Sequence, residues 1–149
     1  MSQHTDLYDT DFYQWTQEQA AALRDGKLDA MDLANLAEEI ESLGKSDRRA
    51  LASHLQVLVM HLLKWQYQPT GRQEGHSWRT TIHTQRDAVA DLVEESPSLR
   101  PQRGALLAKH YPRARRDASD ETGLALATFP DTCPWDVAQV LDDAFFPEG

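Results

Sequence analysis

The sequence predicts an all-α fold: a single-domain helical bundle of about five to six helices with a short C-terminal helix and an irregular tail. Apolar residues recur at spacings of three and four along most of the chain, which is the period of an amphipathic helix. No run alternates apolar and polar residues as a strand would, and no Asn-Gly turn indicates a hairpin. We expect residues 1–149 to form one domain, with residues 1–7 flexible.

The first predicted helix covers residues 11–24, because Gly26 stands where a left-handed residue commonly ends a helix. The second is predicted to begin near residues 29–32, whose carboxylates suit a helix start, and to stop at Gly44. Its apolar stripe consists of Leu33, Leu36, Ala37, Ile40 and Leu43.

The third predicted helix covers residues 47–67, with Ser46 as its N-cap and Pro69 as its end. This segment is apolar on most sides, which is typical of a central helix with several neighbours. A polar loop at residues 70–76 leads to a fourth helix at residues 78–95. Because the loop is short, we expect the two helices to be antiparallel neighbours.

A further helical region is predicted at residues 101–120, in two pieces because Pro112 would interrupt it, with Gly123 closing the second. A short helix is predicted at residues 134–141, starting at a proline. The aromatic residues at 145–146 are expected to cover the bundle.

Composition limits the function classes. The formal net charge is −9, which disfavours nonspecific binding to nucleic acid or to anionic membranes. The single cysteine, Cys133, permits no internal disulfide, and the first residues contain no apolar leader segment. We therefore expect a cytoplasmic protein that has no membrane partner, and the charge disfavours nucleic acid as a partner.

Several segments together resemble a known family. They are YDTDFYQWTQEQAAALRDG, NLAEEIESLG, VLVMHLLKWQYQP, SWRTTIHTQR, SPSLRP, and ETGL followed by FPDTCPW. Found in this order across residues 8–147, they make the chain similar to a bacterial family of small helical proteins called domain of unknown function 29. The resemblance implies a compact, all-helical, cytoplasmic domain, and it implies no activity.

Two pairs of histidines have the same spacing, His54 with His61 and His76 with His83. Residues seven apart on a helix lie about 10.5 Å apart along its axis, so one pair cannot bind one metal ion alone. No HExxH, ExxH or HxxxH motif occurs, and no nucleotide-binding or redox motif occurs either. We therefore expect no metal and no cofactor.

Charged and aromatic residues on three helices form the main candidate site. The candidate ligand or polar-network residues are Glu38, Glu39, Glu41, His54, His61, Lys64, Trp65, Trp78, Arg79 and Arg86. The simplest hypothesis is an ion-pair network between the glutamates and either Lys64 or the two arginines. The alternative is a pocket for an anion or carboxylate, lined by Lys64, Arg79 and Arg86.

Positive charge is also concentrated at residues 100–116, where only one aromatic residue accompanies it. A solvated helix face fits this pattern better than a nucleic-acid-binding face. Cys133 is interpreted as structural.

The sequence contains no catalytic motif, so we assign no catalytic residue. The favoured interpretation is a non-enzymatic protein-interaction domain that forms a homodimer or binds a partner protein. The alternative is a metal- or anion-binding helical-bundle enzyme with a site between the second, third and fourth helices.

Overall fold

The computed structural model describes the backbone of residues 3–74 and 76–148, and the side chains of residues 7–72 and 77–148. The described residues form seven α-helices and three short 3-10 segments, with no strand among them, which confirms the all-α prediction. The helices are α1 Gln3–Thr10, α2 Phe12–Asp25, α3 Leu33–Tyr67, α4 Thr70–Glu74, α5 His76–Glu95, α6 Arg103–Thr122 and α7 Val137–Leu141.

The chain divides into two compact units, unit 1 at Met1–Ser46 and unit 2 at Asp47–Gly149. Helix α3 contributes residues 33–46 to unit 1 and residues 47–67 to unit 2. The predictions of a single domain and of a flexible segment at residues 1–7 stay predictions.

The predicted break at Gly44 is wrong, because α3 continues through it and Ser46 lies inside the helix rather than at its start. Gly44 has no positive φ, unlike Gly26 and Gly123. A glycine inside a helix costs about 1 kcal/mol relative to alanine. Strong helix formers on both sides, Leu43 before the glycine and Lys45 after it, allow the helix to continue.

The predicted interruption at Pro112 is also wrong, because α6 runs through that residue. Pro112 is exposed, while Tyr111 and Ala114 on either side of it are buried in the core. Their burial holds the helix in place despite the backbone hydrogen bond that a proline cannot donate. Gly123 ends α6 in the left-handed conformation, as predicted.

The shorter segments also differ from the prediction. Helix α1 precedes the first helix that was predicted. The predicted loop at residues 70–76 contains the short helix α4. The last helix begins at Val137 instead of residue 134, because Asp136 and Gln139 form a capping box there.

The core of unit 2 is built around the second half of α3. Side chains with no measurable exposure follow one another along this helix: Leu51, Leu55, Leu58, Val59, Leu62 and Leu63. Residues from α5, α6, α7 and the segment between α6 and α7 complete the cluster. The predicted central role of this helix is confirmed for unit 2.

Unit 1 is held together by a polar network at the start of α3. The Trp15 indole donates a hydrogen bond to Asp32 over 3.1 Å, and the Gln19 side-chain oxygen accepts from the Asp32 amide over 2.7 Å. Asp32 also accepts hydrogen bonds from the Asn35 backbone and side chain, so it caps α3. Trp15 and Ala22 are the buried apolar side chains in the described part of this unit.

Candidate functional site

Lys64 is the one lysine among the predicted site residues, and its side chain is buried. It is 7% exposed, and its Nζ lies 3.0 Å from Glu121 Oε1 on α6. The same ammonium lies 4.8 Å from the centroid of the Trp78 ring, within the range of a cation–π contact. The acidic partner of Lys64 is therefore Glu121, which the sequence analysis did not select.

Trp78 reaches this position because Gly71 has no side chain. A Cβ atom at residue 71 would overlap the six-membered ring of Trp78. Glycine at this position thus allows the indole to lie against the α4 backbone and present its face to Lys64.

His61 lies one turn before Lys64, and its Nδ1–H donates a 2.9 Å hydrogen bond to the Val57 carbonyl. Burial lowers the pKa of His61, although the hydrogen bond to Val57 acts in the opposite direction. The neighbouring Lys64 charge lowers this pKa further, whereas Glu121 raises it. The neutral imidazole is therefore the form that this environment favours.

Arg86 is 3% exposed, and it binds backbone rather than a carboxylate. Its guanidinium donates to the carbonyls of Val140, Asp143 and Phe145 over 2.9, 3.4 and 2.7 Å. These bonds fix the end of α7 and the chain segment after it to α5. The charge of Arg86 is therefore used to hold the C-terminal tail.

Phe146 adds an aromatic contact to this attachment. Its ring centroid lies 4.5 Å from the Arg79 guanidinium carbon and 4.9 Å from the Trp65 ring centroid. His83 makes an edge contact with the same ring at 5.7 Å. Two of the predicted site residues, Trp65 and Arg79, thus surround a side chain of the tail, which agrees with the expectation that residues 145–146 cover the bundle.

The three predicted glutamates belong to unit 1. Glu39 accepts a hydrogen bond from the Tyr8 hydroxyl, and this bond raises the pKa of Tyr8 to about 12. Glu38 and Glu41 are exposed. The contacts of Lys64 and Arg86 described above are made within unit 2, so the predicted partnership with these glutamates has no support from them.

The predicted histidine pairs have separate surroundings. His54 Nδ1 lies 2.6 Å from the Gln85 side-chain oxygen on α5. The side chain of His76 lies outside the described residues, and His83 contacts Phe146. In the part of the chain whose side chains are described, no three His, Cys, Asp or Glu residues come together as metal ligands would.

Cys133 lines a groove of about 540 Å³ between α6 and the segment before α7. The groove is mainly apolar, with Leu107, Tyr111 and Trp135 among its walls. Burial raises the pKa of the Cys133 thiol, which disfavours the nucleophilic thiolate. This surrounding gives no support for a catalytic cysteine.

The largest departure from the sequence analysis concerns the apolar stripe at the start of α3. Leu33, Ile40 and Leu43 are 64%, 67% and 68% exposed. We call these three residues the leucine stripe. The spacing of three and four predicted an apolar face, but spacing alone does not reveal whether such a face packs inside the chain or remains exposed.

More of unit 1 is exposed in the same way. Among the described residues, the large apolar side chains that are exposed lie mostly in this unit: Phe12, Tyr13, Leu23, Leu28, Leu33, Ile40 and Leu43, with Leu126 in unit 2. Single exposed apolar side chains are ordinary on protein surfaces.

A model of the family Domain of unknown function DUF29 matches residues 7–146. The chain belongs to this family. No curated protein and no solved structure matches the chain.

The match to the DUF29 family spans both units, and it includes the leucine stripe, Lys64 with Glu121, and Arg86 with most of the tail. Within the part of this DUF29 domain that the structure describes, no helix is long and apolar enough to cross a membrane. Family membership assigns no activity, so the function has to be argued from the surfaces and contacts of the residues.

Proposed function

We propose that this DUF29 domain is a non-enzymatic protein-interaction domain that binds a cationic surface of a separate protein through the leucine stripe. The observation that carries the proposal is the exposure of Leu33, Ile40 and Leu43. Complete burial of an aliphatic side chain contributes about 1.5–3 kcal/mol of favourable free energy. Each of these partly exposed residues can therefore contribute about 1–2 kcal/mol to the free energy of binding.

The charge of unit 1 supports a cationic partner. Residues 1–46 contain ten Asp and Glu residues against three Lys and Arg residues, a formal net charge of −7. Two copies that met through this unit would bring two surfaces of the same sign together, which costs free energy. A separate protein with a basic surface matches both the apolar stripe and the charge around it.

Site-specific photo-crosslinking tests the proposal. A benzophenone amino acid placed at Ile40 should form an adduct, in the cells that make the protein, with a different protein whose crosslinked region carries net positive charge. The matched control places the same amino acid at Leu126, an exposed apolar residue of unit 2. Adducts only to the chain itself or to a second copy, or none above the control, would contradict the proposal.

The alternative is a metal- or anion-binding helical-bundle enzyme near Lys64. It has less support, because two of the three positive charges that would hold an anion already have hydrogen-bonding partners: Lys64 has Glu121, and Arg86 has three backbone carbonyls. The third, Arg79, lies over the Phe146 ring. Metal analysis of protein purified without a histidine tag, with thermal shifts in zinc, manganese and phosphate, discriminates the two. Bound metal or a clear stabilisation by one of these additives would favour the enzyme.

A further inference from the structure

We infer, on the basis of the proposed function, that the element bound by the leucine stripe is a short cationic amphipathic helix lying along residues 33–43 of α3. The spacing of the apolar residues, the limits of the stripe and the position of the acidic residues support this kind of partner.

The spacing is that of a helix-pairing seam. Leu33, Leu36, Ile40 and Leu43 follow one another at intervals of three, four and three, which is the a/d pattern of a coiled coil. Leu36 is partly buried, and the other three side chains are largely exposed. A row with this pitch packs into the groove between the corresponding side chains of a second helix.

The seam is short, because an acidic residue limits it at each end. Asp32 caps α3 immediately before Leu33. Four residues after Leu43, the next seam position is occupied by Asp47, which is exposed. The stripe between them is roughly 15 Å long at 1.5 Å per residue, so a partner helix of about three turns covers it.

Small residues on the same side of α3 permit a close approach. Ala37 is exposed, and Gly44 has no atom within 4 Å of the position that a Cβ would occupy. Both lie within one turn of Ile40. A partner helix can therefore approach the α3 backbone beside the seam closely enough for its apolar side chains to contact Ile40 and Leu43.

Acidic residues lie beside the seam and behind it. Glu39 lies at one edge of the seam, about 100° around the helix from Ile40, and it is partly buried and accepts a hydrogen bond from Tyr8. Glu41 is exposed and lies about 100° from Ile40 in the other direction, beyond the small residues, and Glu38 is exposed on the opposite face. The seam thus belongs to a strongly acidic part of the chain, where residues 1–46 have a formal net charge of −7, so the charge favours a basic partner helix over an acidic one.

Designed peptides test the inference without knowledge of the natural partner. The probe is a fluorescein-labelled peptide of about 18 residues with Leu at the a and d positions and Lys elsewhere. One comparison peptide has the same composition in scrambled order, and another has Glu in place of Lys. Binding to the full chain is measured by fluorescence anisotropy.

We expect the ordered Leu/Lys peptide to bind at least about tenfold more tightly than either comparison peptide. Ile40→Glu should weaken its binding by about tenfold or more, and Leu126→Glu, the matched control, should leave the Kd unchanged. Glu41→Gln should weaken binding by about twofold to threefold, because an exposed charge pair contributes little.

Equal binding of the scrambled peptide would show that charge alone is recognised, and equal binding of the Leu/Glu peptide would show that charge is not selected. Either result, or no binding by any peptide, overturns the inference. The proposed function fails separately, if the benzophenone at Ile40 captures no other protein. An adduct that maps to a loop or strand of the partner would be consistent with the proposed function and would contradict only the inference that the partner element is a helix.

Discussion

Each buried charge of unit 2 described above has its own partner, and the partners are of different kinds. Lys64 has a carboxylate that is itself half exposed, whereas Arg86 has backbone carbonyls and the face of the Phe146 ring. A buried charge that loses its partner is costly. Removing the Glu121 carboxylate should therefore destabilise the fold more than replacing Lys64 by an apolar residue.

Glu121→Gln should lower the free energy of unfolding by about 1–2 kcal/mol. Removing one partner of a fully buried ion pair costs about 3–5 kcal/mol, and the smaller loss is expected here because Glu121 is half exposed. Lys64→Met, which keeps the length of the side chain, should cost less, and the double variant should recover much of the loss. Urea unfolding measures these differences. Arg116→Gln, in an exposed pair, is the control and should change stability by less than about 0.5 kcal/mol.

Arg86→Lys should release the C-terminal tail, because an ammonium cannot reach the carbonyls of Val140, Asp143 and Phe145 together. Limited proteolysis with mass spectrometry should show faster cleavage within residues 141–147 in the variant. Arg100→Lys, on an exposed residue, serves as the control. Equal cleavage rates in the wild type and Arg86→Lys would contradict the assigned role of the guanidinium.

The pH dependence of stability should include a contribution from His61. The pKa of His61 is lowered by burial from its ordinary value of 6.5, so the unfolded chain binds the proton more tightly than the folded chain does. Stability should therefore be complete above pH 6.5 and fall as the pH is lowered towards the folded pKa. His61→Gln should reduce this slope in thermal unfolding curves, and an unchanged slope would assign it to other groups.

At the scale of the element, the sequence predicts which segments are helical, but it does not always predict where a helix begins and ends. The left-handed ends at Gly26 and Gly123 were readable, because a terminal glycine next to an apolar segment has a local physical cause. The sequence pattern did not predict that α3 continues through Gly44 and α6 through Pro112. Neighbouring helix formers and buried contacts decide these positions, and a local pattern does not contain that information.

Gly44→Ala should raise the free energy of unfolding by about 0.5–1 kcal/mol, because the residue is helical and a Cβ there meets no atom within 4 Å. Gly26→Ala is the matched control and should destabilise, because Gly26 has a φ of +66°. Chemical denaturation of both variants checks the pair. A loss of stability in Gly44→Ala would mean that α3 bends at this residue.

At the scale of the whole molecule, the two units use apolar residues differently. Unit 2 buries a long series of leucines, while unit 1 exposes most of its large apolar side chains and carries most of the net charge. The sequence identified Lys64, Arg79 and Arg86 as notable, but it did not identify Glu121 or the tail carbonyls, because those contacts join positions more than fifty residues apart. It also identified the stripe of α3 without showing that the stripe is exposed.

The buried indole of Trp15 has a practical consequence. The four tryptophans of the chain are Trp15, Trp65, Trp78 and Trp135, and only the first lies in unit 1. Trp15 is 2% exposed and bonded to Asp32, so its fluorescence emission should be at short wavelength while this network is intact. A chain with the other three replaced by phenylalanine would report the melting of unit 1 alone, through the red shift of a single fluorophore as its indole meets water.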